Sequence, residues 1–357
     1  MKKINYLILL LTLTMFVTSC EKDEIKTETG AFSEGIYIVN EGNFGQGNAG
    51  ISYASGDLSK IENGIYNAVN NSALGDQAQS IGFSGENAYI VVTASHKIEV
   101  VDKNTMERKE TISSGLNNPR YFEPINDNTA LVSCWGDPSD ETDDYLAIIN
   151  LNSNTVTGQI PVGLGPEKMV KNNHYLFIAH KGAWGTNNII SVYDLVLKQI
   201  TTTITVGDRP NSMAVKDNYL WVLCSGEPSW TGNETAGQLY QININNNFDT
   251  EQIYDFSTTE HPNFLCMDDD QLFYYLNGKV YKTNTGTSNI SPVELFTYQS
   301  NYYGAYNMEA YDGKLYITDA ADYTQEGEIS CYKTSDGSEI ARKTVGIIPG
   351  DIGFNFE

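Results

Sequence analysis

The sequence predicts an all-β fold, a seven-bladed β-propeller in which one blade is closed by strands from both termini. Three observations support it: a repeat of about 45 residues, four strand-like segments in each repeat, and a last repeat that is cut short. Four strands per repeat are typical of propeller blades. We therefore expect one closed ring rather than two separate domains.

The repeat is clearest between residues 163 and 206. A turn at 163–166 opens it, and short apolar or β-branched segments follow, separated by residues that favour turns. The four strands are predicted at Lys168–Val170, Tyr175–Ala179, Ile189–Leu195 and Gln199–Val206. This unit gives the template for the other repeats.

The start of each repeat is marked by a proline or a small residue after a turn. These positions are Ser80, Pro119, Pro166, Pro210, Pro262, Ala305 and Pro349. The last repeat ends soon after its only strand, predicted at 352–356, so its blade must be completed elsewhere. We predict that the N-terminal segments 35–40 and 50–54 supply its second and third strands, which closes the ring and leaves no open sheet edge.

The first residues have the pattern of an export signal. Lys2 and Lys3 precede an apolar run that is too short to span a bilayer, and the run ends in Val-Thr-Ser-Cys at 17–20. This ending resembles the bacterial lipobox, which would make residues 1–19 a lipoprotein signal peptide and Cys20 the lipidation site. The alternative is an ordinary secretory peptide that is cleaved at another site.

The segment after Cys20 is polar and lacks a pattern that could pack. Its first residues, Glu21 to Glu24, look like the short charged signal that sends lipoproteins of Bacteroidota to the outer face of the outer membrane. We therefore expect residues 20–33 to form a flexible tether with an acylated cysteine, and residues 34–357 to form the propeller. The alternative for 21–33 is a solvated tether without a sorting role.

The charge of the chain restricts its partners. Removal of the two lysines in the signal leaves 20 basic and 45 acidic residues, so the net charge changes from -23 to -25. Such acidity argues against nucleic acid as a partner and favours a neutral or cationic ligand, unless a local basic pocket overrides the global field. The four cysteines after Cys20 match no metal or disulfide spacing, and we expect small buried residues.

Loops that follow the second strand of each blade should share one face of the ring. They are predicted at 41–48, 95–97, 135–144, 180–188, 225–237, 277–278 and 319–327, and most are far longer than a hairpin requires. The turns at the opposite face are short. The long loops carry aromatic residues among Gly, Asn, Gln, Ser and Thr, which favours a binding face for a large, mostly neutral ligand.

Candidate ligand-binding residues are chosen by their position in these loops and at the starts of the repeats. They are Asn43, Phe44, His96, Arg120, Trp135, His180, Trp184, Arg209, Asn211, Trp230, Tyr303 and Tyr323. Each aromatic residue could instead pin its own loop, and Trp221, inside a second strand, is expected in the core. His96 and His180 could ligate a metal-containing ligand, although a hydrogen-bonded or solvated histidine is the ordinary alternative.

No catalytic residue and no metal site of the protein itself is predicted, since the histidines have no metal-binding spacing and no nucleophile motif is present. The acidic loop 137–144 could take calcium, but it lacks the EF-hand spacing, and a solvated charged loop is the ordinary alternative. We also expect the first strands to offer no cluster of acids and histidines around the channel. The chain is therefore predicted not to be an enzyme.

The opening segment Gly-Ile-Tyr-Ile-Val-Asn-Glu-Gly-Asn-Phe-Gly at 35–45, the Cys-Glu-Lys-Asp-Glu segment at 20–24 and the G-x-x-P repeat starts carry a family resemblance. The chain resembles the YncE-like propeller lipoproteins of gut Bacteroidota, often labelled surface layer proteins, and among them the BtuG family. That resemblance implies binding of cobalamin or a related corrinoid as ligand, with no other cofactor. It also implies delivery to a BtuB-type TonB-dependent outer-membrane transporter, from a lipid-anchored position facing the cell exterior.

Two other functions are compatible with the same sequence. A surface adhesin or glycan-binding propeller could stack sugars on the aromatic face. A propeller lyase or lactonase would need acids, histidines and a metal near the channel axis.

Overall fold

The computed structural model describes residues 30–137 and 139–356. The predictions for residues 1–29, including the lipidation site Cys20, lie outside the described residues.

The described chain contains a short helix, Ile65–Asn70, one turn of 3-10 helix, Ser229–Thr231, and 28 strands. The strands are β1 Gly35–Asn40, β2 Gly50–Ala54, β3 Ile61–Glu62, β4 Ala78–Ser84, β5 Asn87–Val92, β6 Lys97–Asp102, β7 Arg108–Ile112, β8 Pro119–Asn126, β9 Thr129–Cys134, β10 Tyr145–Asn150, β11 Thr155–Pro161, β12 Pro166–Lys171, β13 Tyr175–His180, β14 Ile189–Asp194, β15 Gln199–Thr205, β16 Pro210–Lys216, β17 Tyr219–Cys224, β18 Gln238–Asn243, β19 Asp249–Asp255, β20 Asn263–Asp268, β21 Gln271–Leu276, β22 Lys279–Asn284, β23 Val293–Thr297, β24 Asn307–Tyr311, β25 Lys314–Asp319, β26 Glu326–Lys333, β27 Glu339–Ile347 and β28 Pro349–Asn355.

These strands form seven antiparallel sheets of four, which confirms the predicted seven-bladed propeller. Blade 1 has the order β28-β1-β2-β3, and blades 2 to 7 use β4 to β27 in consecutive groups of four. The first strands of neighbouring blades contact each other around the whole ring. They therefore form the wall of a central channel.

Blade 1 confirms the prediction that strands from both ends of the chain close the ring. The C-terminal β28 is its innermost strand and pairs antiparallel with β1, with Ile38 opposite Ile352 and Gly35 opposite Asn355. β1 is also paired with β2 on its other side. The ring is thus closed by backbone hydrogen bonds between its two ends.

The hydrophobic core lies between blades, where second and third strands pack against the next sheet. Phe177 and Val192 of blade 4, for example, pack with Leu220 and Ile242 of blade 5. Trp221 is only 1% exposed, as predicted for a core residue. The cysteines at 134, 224, 266 and 331 are buried and free. Burial on both faces explains why the second strands are almost continuously apolar.

The first strand of blade 2 begins at Ala78, two residues before the predicted start at Ser80. In blades 3, 4 and 5 the proline that starts the first strand lies opposite the last residue of the second strand, as Pro166 lies opposite His180. In blade 2 the residue opposite Val92 is Ala78, not Ser80. An apolar residue lies three positions after either candidate start, Ile81 after Ala78 and Phe83 after Ser80. The sequence therefore does not distinguish the two starts, whereas the strand pairing does.

Loops after the second strands lie at one face of the ring, as the alternation of the chain requires. The opposite face holds short turns such as Asn172–Tyr175, where the Asn172 Oδ1 accepts the backbone N–H groups of His174 and Tyr175. The N-terminal segment lies at that face as well, because the Phe32 N–H donates to the Asn104 carbonyl in the turn between β6 and β7. Across the residues described, no helix is long and apolar enough to cross a membrane.

Candidate functional site

A large cavity of about 1080 Å³ opens on the face that carries the long loops. Its lower wall consists of the first strands, and its rim consists of loops that follow second strands or connect blades. Seven of the predicted residues line it: Phe44, Arg120, Trp135, Trp184, Asn211, Tyr303 and Tyr323. The face to which the sequence analysis assigned the long aromatic loops is therefore the face on which the cavity opens.

One wall of the cavity, on blades 3 and 4, combines indole rings with a cation. The Arg120 guanidinium, from the start of β8, lies 4.0 Å from the centre of the Trp135 ring. Trp184 meets Trp135 edge to face, with ring centres 6.3 Å apart, and is itself 80% exposed. The buried Trp135 Nε1 has no hydrogen-bond partner among the described residues. This basic tryptophan wall offers both a flat apolar surface and positive charge.

The opposite wall, on blades 7 and 1, is built from tyrosines and a carboxyl group. The rings of Tyr303 and Tyr323 stack with centres 5.5 Å apart, and Tyr306 meets Tyr323 edge to face at 5.7 Å. The Tyr306 hydroxyl donates to Glu41 Oε1 at 3.0 Å. Asn43 lies behind this wall and donates through Nδ2 to the Tyr323 carbonyl at 2.7 Å. We call these residues the acidic tyrosine wall.

The floor of the cavity and the channel wall beneath it hold charged side chains from first strands. Arg120 contacts Glu167 at 3.3 Å, and Lys168 crosses the channel to Glu309 at 2.7 Å. Asp351 of β28 is buried, and its Oδ2 accepts the Ile81 N–H at 3.1 Å. The described first strands therefore bring several acids close to the channel, but none of these strands contains a histidine. Within the described residues no group of acids, histidines or cysteines is arranged to hold a metal ion.

Burial shifts the acid–base properties of this region. It raises the pKa of Glu41 to about 7 and that of Asp351 to about 6, although the Tyr306 hydrogen bond and the Lys168 charge partly oppose these shifts. Burial also lowers the pKa of Lys181, and the nearby Arg209, Arg120 and Lys168 charges add to this, against Glu167. The site therefore carries protonatable groups on both walls.

Five predicted residues do not line the cavity. His180 is fully buried, with its ring nitrogens 2.9 Å from the Gly163 carbonyl and from Ser191 Oγ, and burial lowers its pKa to about 4. His96 is exposed and accepts the Asn118 N–H. Arg209 donates to the Gly185 carbonyl at 3.2 Å, and Trp230 is 77% exposed on its loop. Asn43, as described, supports Tyr323.

Several lining residues escaped the sequence analysis, including Glu41, Glu167, Lys168, Lys181, Asn263 and Tyr306. A usable signal was present, because the residue after the starting proline of a blade faces the cavity. Arg120 and Asn211 occupy this position, and so do Glu167 and Asn263. Applying the rule to every repeat would also have found Tyr306 after Ala305, but not Lys168 of the floor. The acidic loop 137–144 lies outside the lining, and its Asp143 side chain accepts the Asp137 N–H.

Comparison with known families identifies the chain at family level. The model of DUF5074, described as a domain of unknown function, matches residues 34–347. The chain belongs to the DUF5074 family. No curated protein matches this DUF5074 chain significantly.

Solved structures with the same fold are remote in sequence. The periplasmic gluconolactonase PpgL of Pseudomonas aeruginosa is 9% identical, with a TM-score of 0.65 over 90% of this chain and 99% of that one. A functionally unknown protein from Desulfotomaculum acetoxidans DSM 771 is 13% identical, with a TM-score of 0.63 over 91% and 99%. The computationally designed Ika8 protein is 10% identical, with a TM-score of 0.58 over 91% and 92%. At such identities the likeness concerns the fold.

Proposed function

We propose that this DUF5074 protein is a surface lipoprotein that binds cobalamin or a related corrinoid and delivers it to a BtuB-type TonB-dependent outer-membrane transporter. The observation that carries the proposal is the large cavity on the loop face, with aromatic groups on both walls. Its volume of about 1080 Å³ suits a ligand at or above the upper end of the usual small-molecule range.

The chemistry of the walls supports a corrinoid. A corrin is a large, flat ring system edged with amide side chains, and it would pack between indole and phenol rings. Amide side chains that line the cavity can exchange hydrogen bonds with the corrin amides. They are Gln77, Gln79, Asn118, Asn211, Asn263, Asn277 and Asn307.

The cavity composition also favours holding over converting a ligand. Glu167 and Glu309 already form ion pairs with Arg120 and Lys168, and Glu41 accepts a hydrogen bond from the Tyr306 hydroxyl, so none of these three carboxyl groups is unengaged. A general base or nucleophile would need an activated group beside the reacting atom. We therefore propose a binding protein rather than a lyase or lactonase, lipidated at Cys20 and facing the cell exterior.

The test is calorimetric titration of the detergent-solubilised full-length protein with cyanocobalamin. We expect one-to-one binding, which replacement of Trp184 by alanine weakens at least about tenfold because it removes a rim contact surface. Trp230→Ala is the matched control, since both indoles are similarly exposed, at 80% and 77%, and only Trp184 lines the cavity.

Either of two results would contradict the proposal. Absence of binding heat, together with an unchanged melting temperature, would exclude a corrinoid ligand. A glycan array would then test the adhesin alternative, in which the exposed aromatic rim stacks on sugars. Equal loss of affinity in the Trp184→Ala and Trp230→Ala variants would place the ligand outside the cavity.

A further inference from the structure

The backbone of Lys181, whose side chain lines the cavity, is held against a neighbouring loop. It directly follows β13, and its N–H donates to the Gly165 carbonyl at 3.0 Å. Gly165 has a positive φ of 65°, and a Cβ at this position would overlap the backbone of Gly182 and Ala183. The two loops thus approach as closely as glycine allows, which fixes the direction from which the Lys181 side chain reaches the cavity.

The Lys181 amine has no ion-pair partner in the described part of the chain. The cavity-facing cations Arg120 and Lys168 each contact a carboxylate within 4.0 Å, but Lys181 does not, although it is partly buried. Burying a charged amine without a counter-ion is unfavourable. Burial and neighbouring cations accordingly lower its pKa.

Charge on this side of the cavity is unbalanced. The charge of Glu167 raises the pKa of Lys181, but this carboxylate already contacts Arg120 through both oxygens, at 3.3 and 3.4 Å. Arg209 adds further positive charge behind the rim. The carboxyl groups of Glu41 and Asp351 belong to blade 1, and Glu309 of blade 7 is paired with Lys168. An anion beside Arg120 and Lys181 would therefore meet two donors and one engaged carboxylate.

We propose that Arg120 and Lys181 form an anion subsite that binds the phosphate group of the captured ligand. For a corrinoid this is the phosphate of the nucleotide loop, so the identity of the ligand rests on the proposed function. The phosphate supplies the counter-ion that Lys181 lacks, and charge-assisted hydrogen bonds are the strongest that such a site can form. The corrin ring then lies toward Trp135 and Trp184.

The test compares two ligands that differ by the anion. Wild-type protein, Lys181→Gln and Lys181→Arg are titrated with cobinamide and with cobinamide phosphate. We expect wild-type protein to prefer cobinamide phosphate about tenfold or more, Lys181→Gln to lose this preference, and Lys181→Arg to retain most of it. Lys216→Gln is the control, because Lys216 pairs with Asp270 at the opposite face.

The same series separates failure of the subsite from failure of the proposed function. If Lys181→Gln weakens both corrinoids equally, or neither, the anion subsite is wrong while corrinoid binding stands. If wild-type protein binds neither corrinoid, phenyl phosphate is titrated while tryptophan fluorescence is followed, since Trp135 packs on Arg120. Saturable binding that Lys181→Gln abolishes would retain the subsite without the corrinoid, and absence of binding would overturn both.

Discussion

The two walls of the cavity occupy equivalent places in the ring but have opposite chemistry. On blades 3 and 4, Arg120 and Lys181 stand beside indole rings, whereas on blades 7 and 1 the carboxyl group of Glu41 stands beside three tyrosines. A repeated backbone can therefore present a polarised cavity, because the side chains at equivalent strand positions differ from one repeat to the next. Such polarity would orient an asymmetric ligand as well as hold it.

The largest effect is expected from the basic tryptophan wall when Arg120 is replaced by methionine. The change leaves Glu167, which is 6% exposed, without its partner and removes the contact with Trp135. We expect the free energy of unfolding at pH 7 to fall by about 3 kcal/mol, measured by urea titration. Adding Glu167→Gln should restore part of it, and a double variant as unstable as Arg120→Met would show that the ion pair is not the cause.

A pH-dependent effect of similar size is expected beneath the acidic tyrosine wall. The pKa of Asp351 is raised to about 6, so folding favours its protonated form, and this stabilisation is lost as the pH rises from about 4 through 6. Asp351→Asn keeps an acceptor for the Ile81 N–H but cannot ionise. Its unfolding free energy relative to wild type should therefore increase by about 2 kcal/mol between pH 4 and pH 7. If the unfolding free energies of wild type and Asp351→Asn change with pH in parallel, burial does not raise the pKa of Asp351.

A smaller change is expected from Tyr306→Phe, which removes the hydroxyl that donates to Glu41 and leaves the ring in place. Loss of this hydrogen bond should cost about 1.5 kcal/mol and raise the pKa of Glu41 further above about 7. Unfolding at pH 8 measures the first effect and carboxyl NMR titration the second. An unchanged Glu41 titration would mean that the hydroxyl does not stabilise the ionised form.

The smallest effect is expected outside the cavity, where Lys279 and Glu294 form an exposed ion pair at 2.6 Å with both side chains 41% exposed. Lys279→Gln should leave the unfolding free energy unchanged within the error of the same urea titration, because solvent screens the pair. A loss comparable to that of Arg120→Met would remove the distinction between cavity and surface charges.

Much of this architecture could be predicted from local sequence. Turns and apolar strands recur in each blade, and strand-like segments near residue 35 complete the last, shortened repeat. The fold and the closure of the ring could therefore be predicted. The length of the loops predicted which face carries the cavity. Contacts between distant blades could not be predicted this way: Lys168 and Glu309 are 141 residues apart and meet only across the channel.

Individual loop residues were harder to place for a related reason. Sequence assigns a residue to a loop but not the direction of its side chain, which depends on backbone geometry and packing. His180 turns inward to Ser191, and Arg209 has a positive φ of 57° and bonds to its own rim. Trp184, by contrast, projects into the cavity mouth. The strand positions after the prolines were more informative because their direction is fixed by the pleat.

Closure of the ring by β1 and β28 also determines how the molecule can be attached. The start of β1 and the end of β28 lie side by side, with Gly35 opposite Asn355, at the face away from the cavity. A support, fluorophore or fused protein joined next to Gly35 or Asn355 therefore sits behind the ring. Attachment at these two strand ends presents the mouth of the cavity outward, open to arriving molecules.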